Sequence, residues 1–298
     1  MQDFLVMRNN DLTIAVLSGK GGTGKTLVSV NLAALLPDST YIDCDVEEPD
    51  GHLFFKPVFG TSVPVMVKTP QVDENRCTGC HACVDFCKFN ALALIGSTLM
   101  VFNEICHSCG GCVLVCPRKA LSEKERMVGF VREGISRGVQ VVTGTMNIGE
   151  SSGVPIIEAE LRIKEKNINN LTFIDCPPGS ACLVRKSIQE ADYCLLVAEP
   201  TVFGAHNLAM VYALVSSLHK RFSLVLNKCL GGEENPSEVF AIEHQIPIVG
   251  RIPFDSELGL LNSEAKVVVW ESEKYRQLFS SILTTVLREA HHEATGNS

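Results

Sequence analysis

An apolar run, Leu12-Thr13-Ile14-Ala15-Val16-Leu17, stops one residue before Gly19-Lys20-Gly21-Gly22-Thr23-Gly24-Lys25-Thr26. A buried strand, a glycine-rich turn and a following helix constrain this chain more than any other feature in it. Glycines let backbone N–H groups converge on an anion, and the helix adds the positive end of its dipole. The pattern predicts a phosphate-binding loop, with Gly19, Gly21, Gly22, Thr23 and Gly24 as its cradle. In such a loop Lys25 reaches the β- and γ-phosphates and the Thr26 hydroxyl meets Mg²⁺. A helix is predicted over Thr26 to Leu36, stopped by Pro37.

The rest of the chain repeats strand and helix. Strands are predicted over Thr40 to Asp43, Val63 to Val67, Leu171 to Asp175, Tyr193 to Val197, Ser223 to Leu226 and Pro247 to Gly250. A hairpin is predicted from Arg126 to Val131 and Gly138 to Thr143. Helices are expected over Ile156 to Lys166, Leu183 to Glu190, Asn207 to Leu218 and Glu273 to Ala290. Such alternation implies an α/β fold with a mostly parallel sheet covered on both faces. Asp175 ends one strand and precedes Cys176-Pro177-Pro178-Gly179. A carboxylate there can hold Mg²⁺ through water, and Gly179 can bring its N–H to a γ-phosphate. Asp43 and Asp45 leave the neighbouring strand, although aspartates at such places also serve as caps and turn residues.

Residues 71–120 differ in character: short segments, dense in cysteine and glycine. Cys77, Cys80, Cys83 and Cys87 form a C-x2-C-x2-C-x3-C run, and Cys106, Cys109, Cys112 and Cys116 repeat it 29 residues later. Evenly spaced thiolates of this kind hold iron–sulfur clusters. Zinc is the alternative occupant, although its sites usually pair C-x2-C units across a long spacer. The expected organisation is a discontinuous nucleotide domain, 1–70 and 121–298, interrupted by a small cysteine-rich domain at 71–120.

Composition sets the outer limits. A chain of 298 residues suffices for one large domain plus a small one. A net charge of −8 argues against nucleic acid as the main partner. Met1-Gln2-Asp3-Phe4 lacks a basic region followed by an apolar stretch, and no apolar run approaches the roughly 18 residues that span a bilayer. Thirteen cysteines without a leader point to reduced thiols and a cytoplasmic setting. Cys44, Cys194 and Cys229 read as core thiols, and Cys182 lies seven residues beyond Asp175.

The stretch Lys20 to Thr26 resembles the deviant phosphate loop of the ATPase superfamily that contains MinD and the nitrogenase iron protein. Asp43-Cys44-Asp45-Val46-Glu47-Glu48-Pro49, Met146 to Glu150, Asp175 to Gly179 and Glu199 to Gly204 extend the likeness over about residues 12 to 255. The resemblance implies ATP or ADP with Mg²⁺, bound at the interface of a homodimer. It implies that Lys20 crosses to the partner's nucleotide, that Asp45 orients the attacking water, and that Asp43 supports the Mg²⁺ shell. By the same resemblance Asn227 reads the adenine edge and Pro253 packs on its face. The doubled cysteine run is similar to that of bacterial two-cluster ferredoxins, in which the fourth cysteine of each run serves the other cluster. That similarity implies one [4Fe-4S] set of Cys77, Cys80, Cys83 and Cys116, and another of Cys106, Cys109, Cys112 and Cys87. Lys88 stands after Cys87 where the ferredoxin motif has proline, as it does at Pro117.

As a whole the chain resembles members of this superfamily with an inserted ferredoxin-like α+β domain. The leading expectation is ATP-gated electron transfer through two clusters to a redox partner protein. One rival is a cluster carrier similar to Mrp-type scaffolds, which use a C-terminal C-x-x-C; after Cys194 this chain offers only Cys229. The other is a MinD-like positioning ATPase, which uses a basic amphipathic tail on the membrane. The last helix carries Tyr275, Leu278, Phe279, Ile282, Leu283, Val286 and Leu287 on one face with mixed charges elsewhere, a pattern expected of a core-docked helix.

Overall fold

Local patterning places the elements. The computed structural model describes residues 12–164, 171–180, 182–232 and 235–292. The amino-terminal reading and the last two residues of the helix predicted over Ile156 to Lys166 lie outside the described residues. The first elements are β1 (Thr13–Leu17), α1 (Lys25–Ala34), β2 (Thr40–Asp43), α2 (Gly51–Phe55), β3 (Val58–Phe59) and β4 (Val63–Val72). Next come α3 (Ala82–Phe86), β5 (Leu92–Ile95), β6 (Thr98–Val101), α4 (Gly111–Leu114), β7 (Leu121–Ser136), β8 (Val139–Met146) and α5 (Val154–Lys164). Then follow β9 (Thr172–Asp175), α6 (Cys182–Ile188), β10 (Tyr193–Ala198), α7 (Val202–Ser217), β11 (Arg221–Cys229) and α8 (Pro236–Glu243). The chain closes with β12 (Ile248–Pro253), α9 (Ser256–Ser263), α10 (Val268–Glu271) and α11 (Glu273–His292).

Seven strands run parallel in the order β12-β11-β10-β1-β9-β2-β8. β1 lies inside the sheet and is buried along its whole length, as its unbroken apolar run requires. On one sheet face Val28 and Leu32 of α1 pack with Tyr275, Phe279, Leu283 and Val286 of α11. On the other, Ile156 and Ile157 of α5, Val184 of α6, and Leu208 and Val211 of α7 form the second core. α11 is thus a core helix: its apolar stripe, spaced by three and four residues, is buried against the sheet.

Beyond β8 the sheet turns antiparallel. β7 pairs β8, and β3 and β4 both pair β7. β4 and β7 are longer than their sequences suggest, pairing from Val63↔Val131 out to Val72↔Leu121 with one bulge between Val65 and Met66. Pro64 and Pro70 mask β4 as a strand, yet proline is tolerated where the missing N–H faces an unpaired edge. Ser122 to Glu125 of β7 are exposed and mostly charged, so they show no apolar alternation. The two strands form a ribbon that carries residues 73–120 at its far end.

The cysteine unit at that end repeats itself in backbone as well as in sequence. Gly79, His81 and Asn90 have left-handed φ values of 66°, 64° and 55°. Ser108, Gly110 and Lys119, each 29 residues later, have 55°, 70° and 51°. The Leu92↔Val101 pair of β5 and β6 corresponds to Leu121↔Val72 of the ribbon, so the ribbon's tip acts as the second half's hairpin. The Phe102 N–H donates to the Ala91 carbonyl at 2.9 Å, matching Asp73 N–H to the Ala120 carbonyl at 2.8 Å. Leu92, Leu99 and Leu121 form a small core with Cys83 and Cys112.

Candidate functional site

The phosphate loop joins β1 to α1 and opens onto a cavity of about 480 Å³, a size suited to a nucleotide. Gly24 caps α1 with φ 93°, a left-handed turn that favours glycine, and a Cβ there would strike the Asn227 amide. Lys25 is buried, and its ammonium lies 2.5 Å from Asp175 Oδ1. Burial pulls the Lys25 pKa down, but the Asp175 carboxylate more than offsets this and raises it overall. The Tyr41 hydroxyl donates to Asp175 Oδ2 at 2.9 Å, so Asp175 is held from both sides.

Asp43 and Asp175 end adjacent parallel strands in direct register. Burial and the neighbouring Asp175 charge push the Asp43 carboxyl well up. Its oxygens accept from the Gly51 N–H at 2.8 Å and the Asp45 N–H at 3.3 Å, bracing the loop after β2. Carboxylate oxygens of Asp43, Asp50 and Asp175 lie within 4.8 Å of one another, a set that suits a hard divalent cation beside the phosphates. Asp50 was not among the residues expected from sequence; its place before α2, in a run of acidic residues, was the available signal. Thr26, Asp45 and Asp50 line the cavity. Burial raises both the Asp45 and the Asp50 carboxyls, opposed in each by Lys25.

Three expected roles meet a different arrangement. Lys20 folds back on its own chain, paired with Glu199 and 5.0 Å from the Phe203 ring centre, because Glu199 is the nearest carboxylate. Burial pushes the Glu199 carboxyl up, and Lys20 and Lys228 outweigh that, leaving it below its usual range. The Gly179 N–H donates to the Ser18 carbonyl at 3.0 Å, so in this conformation it does not point at a phosphate. Asn227 lies within β11 rather than after it, at a register shift against β12 that leaves Lys228 left-handed. Its amide donates to the Thr23 carbonyl at 2.7 Å and accepts from the Lys228 N–H at 2.9 Å, so it braces the phosphate loop instead of standing free for the adenine edge it is expected to read. Lys228 itself donates to the Gly22 carbonyl at 2.8 Å. Pro253 ends β12 on the cavity wall beside Phe254.

A family model described as the CobQ/CobB/MinD/ParA nucleotide binding domain matches residues 14–268. The chain belongs to that family. The uncharacterized protein MJ0578 of Methanocaldococcus jannaschii is 29% identical over 276 residues, covering 91% of this chain and 96% of the relative. MJ0579 of the same organism is 26% identical over 221 residues, 73% of this chain and 80% of the relative. Among solved structures, the cell division ATPase MinD of Pyrococcus furiosus superposes with TM-score 0.57 at 19% identity, over 93% of this chain and 98% of that one. The septum site-determining protein MinD of Pyrococcus horikoshii, complexed with Mg-ADP, gives 0.57 at 17%, over 96% and 98%. At these identities the structures show a shared α/β fold with a mostly parallel sheet.

Within this member of the family, the cysteines gather at two places. Cys77, Cys80, Cys83 and Cys116 line one cavity. Cys87, Cys106, Cys109 and Cys112 line another. The fourth cysteine of each run therefore stands with the first three of the other. Cys87 Sγ accepts from the Ala91 N–H at 3.3 Å and Cys116 Sγ from the Ala120 N–H at 3.2 Å. Lys88 and Pro117 thus precede equivalent turns. Burial pushes the Cys83 thiol up, and the Cys112 thiol up to about 11. Of the expected core thiols, Cys44 and Cys194 are buried and Cys229 only half-buried; Cys182 is exposed at the start of α6. Among the described residues no helix is long and apolar enough to cross a membrane.

Proposed function

We propose that this protein is an ATP-dependent switch carrying two [4Fe-4S] clusters, whose nucleotide state governs electron transfer to a partner protein. The observation that carries this reading is the crossed gathering of eight cysteines into two cavities, with the backbone repeating at the same 29-residue offset. Cys77, Cys80, Cys83 and Cys116 would hold one cluster; Cys87, Cys106, Cys109 and Cys112 the other. Bound clusters would supply one-electron chemistry at potentials tuned by the N–H···S bonds to Cys87 and Cys116.

In the nucleotide half of the reading, Lys25 would exchange Asp175 for the β- and γ-phosphates, and Thr26 with Asp43, Asp50 and Asp175 would hold Mg²⁺. Asp45 stands at the cavity wall to orient water. In a homodimer with nucleotide at the interface, Lys20 must release Glu199 before it can reach across. That exchange makes the Lys20–Glu199 pair a component of the switch.

The fold comparisons speak for a MinD-like positioning ATPase more directly than for a redox role, and that is the second reading. Its membrane-binding form relies on an amphipathic tail, whereas the apolar face of α11 is buried in the core. Metal analysis of anaerobically purified protein tests the first reading. About eight irons per chain with matching sulfide is expected, falling to about four in Cys116→Ser. Stoichiometric zinc in place of iron overturns it.

A further inference from the structure

The ribbon is not the cysteine unit's only attachment to the nucleotide domain. Arg126, on β7, forms a two-pronged ion pair with Glu150 and donates to the Asn103 carbonyl at 2.9 Å. Beside it the Ser151 N–H donates to the Glu104 carbonyl at 3.2 Å. Asn103 and Glu104 lead straight into Cys106. Glu150 and Ser151 belong to the segment 147–153 between β8 and α5. That segment is anchored at both ends to Val46: the Met146 N–H donates to the Val46 carbonyl at 2.9 Å, and Gly153 packs so closely on Val46 that a Cβ would overlap it. Val46 follows Asp45, which lines the nucleotide cavity. A short chain of bonded backbone thus runs from Asp45 to the approach to Cys106, and the Arg126 side chain bridges its Glu150 to the Asn103 carbonyl.

Arg126 and Cys106 also face the same groove, a space of about 860 Å³ between the cysteine unit and the sheet domain. A guanidinium held by a two-pronged carboxylate bond has little freedom of its own, so it moves when its anchor moves. We propose that Arg126 is a positioning residue that carries the nucleotide state to the Cys87, Cys106, Cys109 and Cys112 quartet by setting how close its positive charge stands to Cys106. Nearby positive charge favours the reduced, more negative form of a cluster. Displacement of Asp45 and Val46 when the nucleotide changes would draw segment 147–153, and with it Arg126, toward or away from that quartet. The inference rests on the iron–sulfur reading given above and adds the residue that couples its two halves.

The test is an EPR-monitored redox titration of the iron-loaded full chain, with Mg-ADP and with a non-hydrolysable Mg-ATP analogue. In the wild type one of two potentials is expected to shift between nucleotides by about tenfold in reduced-to-oxidised ratio, about 59 mV for a one-electron couple. Arg126→Gln is expected to lower that potential and abolish the shift, with iron content and nucleotide affinity retained. Glu150→Ala keeps the guanidinium and its bond to Asn103 but removes Arg126's own tie to segment 147–153, leaving the Ser151–Glu104 bond in place, so it abolishes the shift without lowering the potential. A nucleotide-dependent shift surviving in either iron-loaded variant overturns the role of Arg126 alone. An iron-loaded wild type with no shift overturns ATP gating as well, and a wild type without iron overturns the cluster reading itself.

Discussion

Lys25 shows how binding and stability become entangled at a single residue. Its ammonium is buried against Asp175, which is fully buried and shares its other oxygen with Tyr41. Removing one partner of such a pair strands the other, at a cost of about 3–5 kcal/mol. Lys25→Ala is therefore expected to lose nucleotide binding and also to lower unfolding stability by that amount. The double variant with Asp175→Asn should regain most of the stability and none of the binding. Urea unfolding beside a nucleotide-binding titration checks both, and a fully stable Lys25→Ala would contradict the pairing. At this scale sequence reading located Gly24, Lys25 and Asp175 at the loop and strand end where the fold has them, because those positions follow from backbone pattern. It missed Asp50 and misplaced Asn227, because a side chain's partner across the fold is not encoded in its neighbours.

At the scale of elements, α9 closes the cavity on the side of Pro253. Asp255 caps it, accepting from the Glu257 N–H at 2.9 Å and the Leu258 N–H at 3.3 Å, and ties it to Lys274 of α11. The Lys274 bond, with the cap, holds the Asp255 carboxyl at about 2. Its contribution to stability is present above the ordinary carboxylate range near 3.8 and fades as pH falls toward 2. Asp255→Asn should be less stable than wild type at pH 7, with the difference shrinking steadily as pH falls from about 4 toward 2, by thermal unfolding. An unchanged difference at low pH would contradict the assignment. Neither α9 nor α8 was expected from sequence, although Asn235-Pro236 and Asp255-Ser256 are both helix-start signals. Their weak apolar periodicity hid them. The strand between them was found from its short apolar run, although β12 is an edge strand in which only Val249 and Ile252 are buried.

For the whole molecule, the interruption expected at 71–120 lies between two strands, β4 and β7, whose length and pairing were not legible. The boundaries at 70 and 121 fall almost at the ribbon's tip, where Val72 pairs Leu121. The arm itself was hidden by the prolines of β4 and the charges of β7. Because the two strand ends are adjacent, replacing residues 73–120 with a short turn should leave the nucleotide domain folded. Nucleotide affinity within a few-fold of wild type, with all iron lost, is the expected outcome by calorimetry and metal analysis. Loss of folding would mean that the cysteine unit is part of the domain's own core. The proposed switch depends on communication between the nucleotide domain and the cysteine unit. EPR spectra of the anaerobically reduced protein, with Mg-ADP and with a non-hydrolysable Mg-ATP analogue, test it most directly. Cluster signals that change between the two nucleotides are predicted, and identical cluster signals in both would contradict it.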